Sequence, residues 1–367
     1  MGKLIDYIEY IIDNRGKNPK YLEQGEYFVI DNGIIQNELY PNLNHVTRFI
    51  DSSTHNSFLR GYLEKDTPIM TLVGNGIGNV TLAPGPHTVI VQNTIGFKTK
   101  TSLNKIYLYY YLLANQKRIR NFNRGSGQPS VKRTDILNLE VEFPDINTQN
   151  RIASILYKLD KKIENNKRIN DNLLQQVMTI FNGRFNNSND GEHSISEYLL
   201  PKRGKGLLSK DAIFGSVPVV AGGLEPATYH NQSNTDNPVI TISASGANAG
   251  YIRLWNQKVW SSDSSYIDSS VTEYVYFWFA LLKSRQQEIF DSQTGSAQPH
   301  IYPQHIGALK IPKLNIEEVK IFNEDVSSIF ELIGQNEVEN KNLVKIRNTL
   351  LPKLMNGEIN LSNIEID

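Results

Sequence analysis

Along Ile152–Ile180 apolar residues recur at alternating steps of three and four. A heptad frame laid from Ile152 puts Ile152, Leu159, Asn166, Leu173 and Ile180 at position a, and Leu156, Ile163, Asn170 and Val177 at position d. That stripe is broken only by the two asparagines, which predicts a long helix paired with a second helix along it. Phe322–Leu350 repeats the arrangement, with Phe322, Ile329, Asn336, Leu343 and Leu350 at a, and Val326, Ile333, Asn340 and Arg347 at d. The asparagines occupy the same two slots. In an antiparallel pair whose facing residue numbers sum to 506, Asn166 meets Asn340 and Asn170 meets Asn336. Only Leu159 against Arg347 is then mismatched. Buried asparagine pairs give up stability and fix register, because any slip leaves an amide unpaired in an apolar layer. A parallel pair would match the asparagines as well. The antiparallel one is preferred because it carries the rest of the chain to two opposite ends. Each helix would be on the order of 50 Å long.

The segments outside the helices also alternate apolar and polar positions, with the period of strands. Residues 1–146 contain EYFVI, PIMTLVG and HTVIVQ, then the aromatic-rich run KIYLYYYLLANQKRIRNF, predicted as one helix. Residues 183–313 contain VPVVAGG, NPVITIS and GYIRLW, then EYVYFWFALLKSRQQEIF. A five-residue phrase follows each: GSGQP from Gly125 and GSAQP from Gly295, 170 positions apart, each expected to open a strand. At that offset Ile136 falls on Ile306, Leu139 on Leu309 and Leu156 on Val326, and DNRGKN at Asp13 has a counterpart in PKRGKG at Pro201. A period this long is a duplicated domain, not a solenoid. The predicted fold is α+β: two similar mixed globular domains, 1–146 and 183–313, separated by two long antiparallel coiled-coil helices, 147–182 and 314–367, in an internal pseudo-two-fold repeat.

Length supports several cores, and composition is ordinary for globular protein. No apolar run reaches membrane-spanning length, and MGKLIDYIEYIIDNRGK has neither a secretory cleavage site nor a myristoylation pattern. A cytoplasmic location is expected, without membrane contact. The chain has no cysteine, which removes disulfides, cysteine-ligated zinc and thiol catalysis. Lys and Arg number 38, Asp and Glu 38, so nucleic-acid binding would depend on where the charges lie rather than on their sum.

Taken together, the GS-x-QP loop before each ILNLEVEFP-like segment, the helix NTQNRIASILYKLDKKIENN, the run AGGLEPATYHNQSN…ITISASGANAGYIRLW and the closing LLPKLMNGEI resemble the specificity subunit (HsdS) of type I restriction-modification systems. The resemblance covers essentially the whole chain. It departs from the family at the helix entries, where FPDINTQN replaces the usual P-P-x-x-E-Q and IPKLNIEEVK lacks a glutamine. It implies that 1–146 and 183–313 are target recognition domains, each reading one half of a bipartite asymmetric site on double-stranded DNA. The helices would set the gap and dock the methyltransferase (M) subunits, two of them, with restriction (R) subunits joining in some complexes. It further implies that this chain is non-catalytic and binds no cofactor. S-adenosylmethionine, ATP and magnesium would sit on the partner subunits.

The residues agree with that division of labour. There is no N/D-P-P-Y/F motif for flipping adenine and no G-x-x-x-x-G-K-[ST] loop for ATP. VGNGIGNV at Val73–Val80 fails G-x-G-x-x-G at Asn79 and reads as a turn between strands. The pair Glu318 and Lys320 lies on a predicted helix with no acidic partner near it, and the histidines show no metal-ligand spacing. Phosphate contact is expected instead from Lys117, Arg118, Arg120, Arg124, Lys132 and Arg133 in the first half, a stretch free of acids, and from Lys202, Arg203 and Lys205 in the second. Tyr229, His230, Asn231, Gln232, Ser243, Ser245, Asn248 and Arg253 are side chains suited to base edges or phosphates. Gln128 and Gln298 are candidate neck or DNA-backbone contacts. The competing readings are a stand-alone enzyme, a duplicated scaffold that binds protein only, and a recognition subunit of a related restriction or methyltransferase system outside type I.

Overall fold

A computed structural model describes residues 2–125, 127–185, 191–295, 298–359 and 361. Ser126, Ser296 and Ala297, within the two GS-x-QP phrases, lie outside the described residues. The chain divides into two compact units, residues 1–165 with 340–367, and residues 166–339. Each unit therefore takes a portion of both long helices, Ile146–Arg184 and Ile316–Met355.

Within the first unit a four-stranded antiparallel sheet runs in the order Ile8–Ile12, Thr94–Thr99, Pro68–Thr71, Val80–Leu82. A three-stranded sheet places Tyr27–Ile30 between Phe49–Ile50, antiparallel, and Thr88–Ile90, parallel. The second unit repeats both. Lys202–Arg203, Ser264–Ile267, Val239–Ser243 and Ile252–Trp255 form the larger sheet. Val217–Val220 lies between Thr228–His230, antiparallel, and Trp260–Ser261, parallel. A short ladder closes each unit: Gly2–Lys3 pairs with Glu140–Val141, and His193–Ser194 with Lys310–Ile311.

The expected aromatic helices are broken once each. Lys105–Ala114 and Gln116–Arg120 are separated at Asn115, and Val275–Ser284 and Gln286–Asp291 at Arg285, at matching positions. Both linking residues have ψ near zero, 13° and 19°, which turns the chain between two packed faces. The GS-x-QP phrase also does not open a strand directly, because short helices, Arg133–Leu137 and Pro303–Gly307, come first.

Each aromatic helix is a core element because nearly every turn is apolar. Tyr107, Leu108, Tyr109, Tyr110 and Leu112 are buried in the first, and Phe277, Trp278, Phe279, Leu281 and Leu282 in the second. Their starts are capped differently. Asn104 accepts from the Ile106 and Tyr107 N–H groups. Tyr274 offers no such cap, and Asn323 on the second long helix accepts from Tyr276 and Phe277 instead.

The long helices run antiparallel in both units. In the second, Asn336 Nδ2 donates to Asn170 Oδ1 at 2.8 Å, Asn166 to Glu339 at 2.6 Å, and Arg184 pairs with Asp325 at 2.6 Å. Residue numbers rise on one helix as they fall on the other. Asn166 is buried, and Asn340 is half-buried on the second helix. In the first unit the mismatched Arg347 reaches past Leu159 to Asp160. Its guanidinium donates to Oδ1 at 2.7 Å, while the Tyr110 hydroxyl donates to Oδ2 at 2.7 Å. Asp160 is 3% exposed. Burial first, and then the charge of Asp160, drive the Tyr110 hydroxyl pKa far up, so it stays a proton donor. The matching slots of the second unit, 170 positions away, hold Phe330, Ala280 and Val177, all buried. One architecture is thus built once around a polar triad and once around carbon.

Candidate nucleic-acid interface

In each unit a glycine-bearing turn and the GS-x-QP loop lie against one another. The first turn joins Pro68–Thr71 to Val80–Leu82, and its Gly74 N–H donates to the Pro129 carbonyl at 2.8 Å, with Val131 N–H donating to Leu72 at 2.9 Å. The second joins Val239–Ser243 to Ile252–Trp255, where Gly246 donates to Pro299 and Ile301 to Ala244, both at 3.0 Å. Gly74 and Gly246 have φ of 103° and 82°, a region that a side chain strains. A Cβ on Gly125 would lie 1.8 Å from the Gln128 carbonyl oxygen, and one on Gly295 2.6 Å from that of Gln298. The repeated glycine is therefore required by a loop that folds back on itself. VGNGIGNV and SGANAGY, which share little beyond glycine spacing, are the same turn. Gln116 donates to the Gly78 carbonyl at 2.9 Å and Gln286 to that of Gly250 at 2.8 Å, fixing each turn to the aromatic helix region.

Several expected contact residues surround this junction. Lys117 and Lys132 are exposed, and among the described residues neither side chain has an ion-pair or hydrogen-bond partner. Arg118 donates to the Glu140 carbonyl at 3.1 Å. Arg124 pairs with Asp135 at 3.0 Å and Arg133 with Asp13 at 3.0 Å. Arg120 braces the glycine turn, donating to the Ile77 carbonyl at 3.1 Å and to Asn79 Oδ1 at 2.9 Å. Gln128 and Gln298 are exposed on their loops.

In the second unit Lys202 donates to Ser270 Oγ at 2.8 Å. The Arg203 guanidinium stands 3.6 Å from Asp263 and over the Tyr302 ring. Lys205 is exposed, its carbonyl held by the Trp260 indole N–H at 2.8 Å. Tyr229, Asn231 and Gln232 are exposed. Asn248 donates to the Gly222 carbonyl at 3.4 Å, and Ser245 to Asp263. The Arg253 guanidinium lies over the Trp255 ring, 3.9 Å from its centroid, and donates to the Leu224 carbonyl at 2.6 Å.

Two expectations are corrected. His230 is 6% exposed, lies edge-on to Trp260, and its Nδ1 accepts from the Ile213 N–H at 3.0 Å. It belongs to the strand Thr228–His230, not to a free polar loop. Ser243 is 4% exposed and donates to the Gly222 carbonyl. Both side chains hold the scaffold and present nothing at the surface.

The sequence reading missed Asp13, Arg15 and Arg60. With Lys132, Arg133 and Thr134 they line an open cleft of about 510 Å³ in the first unit. Asp13 accepts from Arg15 Nε at 2.8 Å and NH2 at 2.6 Å, besides Arg133. Burial raises the Asp13 carboxyl pKa, but the hydrogen bonds and charge of Arg15 and the charge of Arg133 outweigh it, holding it below its ordinary value. Between Asp13 and Arg15, Asn14 is fully buried. Its Nδ2 donates to the carbonyls of Gly61 and Ile90, and its Oδ1 accepts from the N–H groups of Arg60 and Gly61. That side chain brings the Arg60 segment to the Arg15 turn. Only RGK in the sequence hinted at Arg15. Asp13 and Arg133 are 120 positions apart, beyond any local pattern. Among the described residues no group of three or more His, Asp or Glu is placed to hold a metal ion, and no helix is long and apolar enough to cross a membrane.

Comparison with known proteins agrees with this architecture. Residues 8–175 match the type I restriction modification DNA specificity domain. A Mycoplasma genitalium protein described as a type I specificity subunit is 24% identical over 307 residues, 78% of this chain and 80% of that one. The specificity subunit of the type I restriction enzyme MjaIX from Methanocaldococcus jannaschii is 24% identical over 337 residues, 78% of this chain and 76% of its own. The crystal structure of a type I restriction-modification S subunit from M. genitalium shares the fold, with a TM-score of 0.59 at 20% identity, covering 96% of this chain and 94% of that one. Residues 8–175 thus resemble a type I restriction modification DNA specificity domain, relatives that are similar over most of the chain are specificity subunits, and the duplicated α+β fold is that of an S subunit.

Proposed function

We propose that this chain is the non-catalytic DNA-reading subunit of a type I complex, each unit contacting one half of a bipartite asymmetric site. The observation that carries the reading is the twice-built junction of glycine turn and GS-x-QP loop, ringed in each unit by cationic and amide side chains. A single binding surface would need this junction once; a site read in two parts uses it twice. In the first unit Lys117, Arg124, Lys132 and Arg133 contact phosphates, where release of counterions drives binding. In the second, Lys202, Arg203 and Lys205 do the same, while Tyr229, Asn231, Gln232 and Arg253 read base edges. Gln128 and Gln298 contact the DNA backbone from their loops. The antiparallel helices hold the two reading surfaces at a set separation and dock the methyltransferase subunits, which supply S-adenosylmethionine chemistry. ATP and magnesium belong to restriction subunits where these join.

Filter binding of the chain with its methyltransferase subunits to random duplex, at low and high salt, tests the reading. Affinity should fall steeply with salt. Salt-independent binding, or none, would leave the protein-only scaffold as the better account.

A further inference from the structure

The cleft in the first unit gathers Arg15, Arg60, Lys132 and Arg133 around a single carboxylate, Asp13. Arg15 and Arg133 are held by Asp13, at 2.6 and 3.0 Å. Arg60 and Lys132 have no side-chain partner among the described residues, although the Arg60 backbone is fixed by buried Asn14. Four cations facing one space repel each other, and one acid offsets only part of that. An anion with several acceptor oxygens would complete the arrangement, and guanidinium forks suit phosphate geometry. At the corresponding place in the second unit Pro201 stands for Asp13 and Tyr302 for Lys132, and Arg203 turns to Asp263 and to the Tyr302 ring.

We infer that this cleft is a seat for one backbone phosphate of the bound duplex, and that Asp13 is its positioning residue, aiming Arg15 and Arg133 at the phosphate. The inference rests on the DNA-reading role proposed above. It makes an unusual demand. Deleting an acid from a cationic surface strengthens DNA binding if charge alone matters, and weakens it if the acid organises the cations.

The test measures duplex binding by the assembled complex across a salt series, using a site identified by methylation sequencing. Asp13→Ala should bind about tenfold more weakly than wild type. Arg60→Ala removes an exposed side chain without partners, and should lower the slope of log affinity against log salt by about one, at an unchanged melting temperature. A single neutral methylphosphonate linkage at the seated phosphate should weaken wild type at least as much as Arg60→Ala does, and should cost Arg60→Ala less than it costs wild type. Orthophosphate at constant ionic strength should not compete; competition would show that the cleft prefers free phosphate. Equal or tighter binding by Asp13→Ala, or an unchanged salt slope in Arg60→Ala, overturns the seat while wild type still binds DNA. Failure of wild type itself to bind DNA overturns the functional reading instead.

Discussion

Replacing Arg347 by leucine isolates what the buried triad contributes. Asp160 is 3% exposed and receives two hydrogen bonds of 2.7 Å, from Arg347 and Tyr110. Without Arg347 the carboxylate keeps only the tyrosine donor. Breaking a buried pair from one side costs about 3–5 kcal/mol, because the remaining charge stays desolvated. A unit of this size loses about 2–4 °C per kcal/mol, so calorimetry should show a fall on the order of 10 °C. The second unit shows how the same slot is filled without charge. Asp160→Phe, Tyr110→Ala and Arg347→Val together install its Phe330, Ala280 and Val177. Exchanging a buried pair for packed apolar groups of similar total volume is neutral or stabilising, so the triple variant should recover most of the loss. A fall under about 2 °C for Arg347→Leu, or a triple variant no more stable than the single one, would refute the reasoning.

Other expectations follow from the same geometry. Asn336→Leu alone removes the donor to Asn170 Oδ1 and should cost about 1 kcal/mol by urea denaturation, whereas Asn170→Leu with Asn336→Leu should stabilise the helix pair. If the helices act as a spacer, that double variant should also blur the gap in methylation sequencing. Gly74→Ala forces φ of 103° on a side chain whose Cβ would lie 2.6 Å from Asn32 Nδ2, and should cost about 1–3 kcal/mol in thermal melts. Arg120→Ala should lower stability as well as DNA affinity, since Arg120 braces the turn; a loss of affinity at unchanged stability would contradict that brace. The folded-state pKa of Asp13 is depressed, so what its carboxylate contributes is present above the unfolded pKa and disappears only as pH falls through the lower folded value. Duplex affinity should therefore show no Asp13-dependent loss between about pH 8 and pH 5, which a pH series on wild type and Asp13→Ala will check.

Much of the fold was legible because duplication writes it twice. The short helices Arg133–Leu137 and Pro303–Gly307 and the long helix starts Ile146 and Ile316 all stand 170 positions apart. Heptad spacing exposed the asparagine slots, and the one mismatch, Arg347, pointed to a real change of chemistry whose partner sits one residue away from Leu159. The central strands Thr94–Thr99 and Ser264–Ile267 were missed, since TIGFKT carries an interior glycine and SSYI is mostly small and polar. The glycine turns escaped comparison for a related reason. Gly74 and Gly246 share a backbone conformation, and their neighbours share almost no side-chain chemistry. At the candidate interface single side chains misled where burial decided, as with His230 and Ser243. The Asp13 cleft depends on contacts between segments that no local pattern connects.

Methylation sequencing of cells carrying this chain with its methyltransferase subunits tests the central claim most directly, comparing wild type with Tyr229→Ala plus Asn231→Ala. The account predicts a two-part motif with a fixed unspecified gap, and a variant that changes or relaxes one half while the other half and the gap persist. A single continuous motif, or a variant altered in both halves together, would contradict a site read once by each unit.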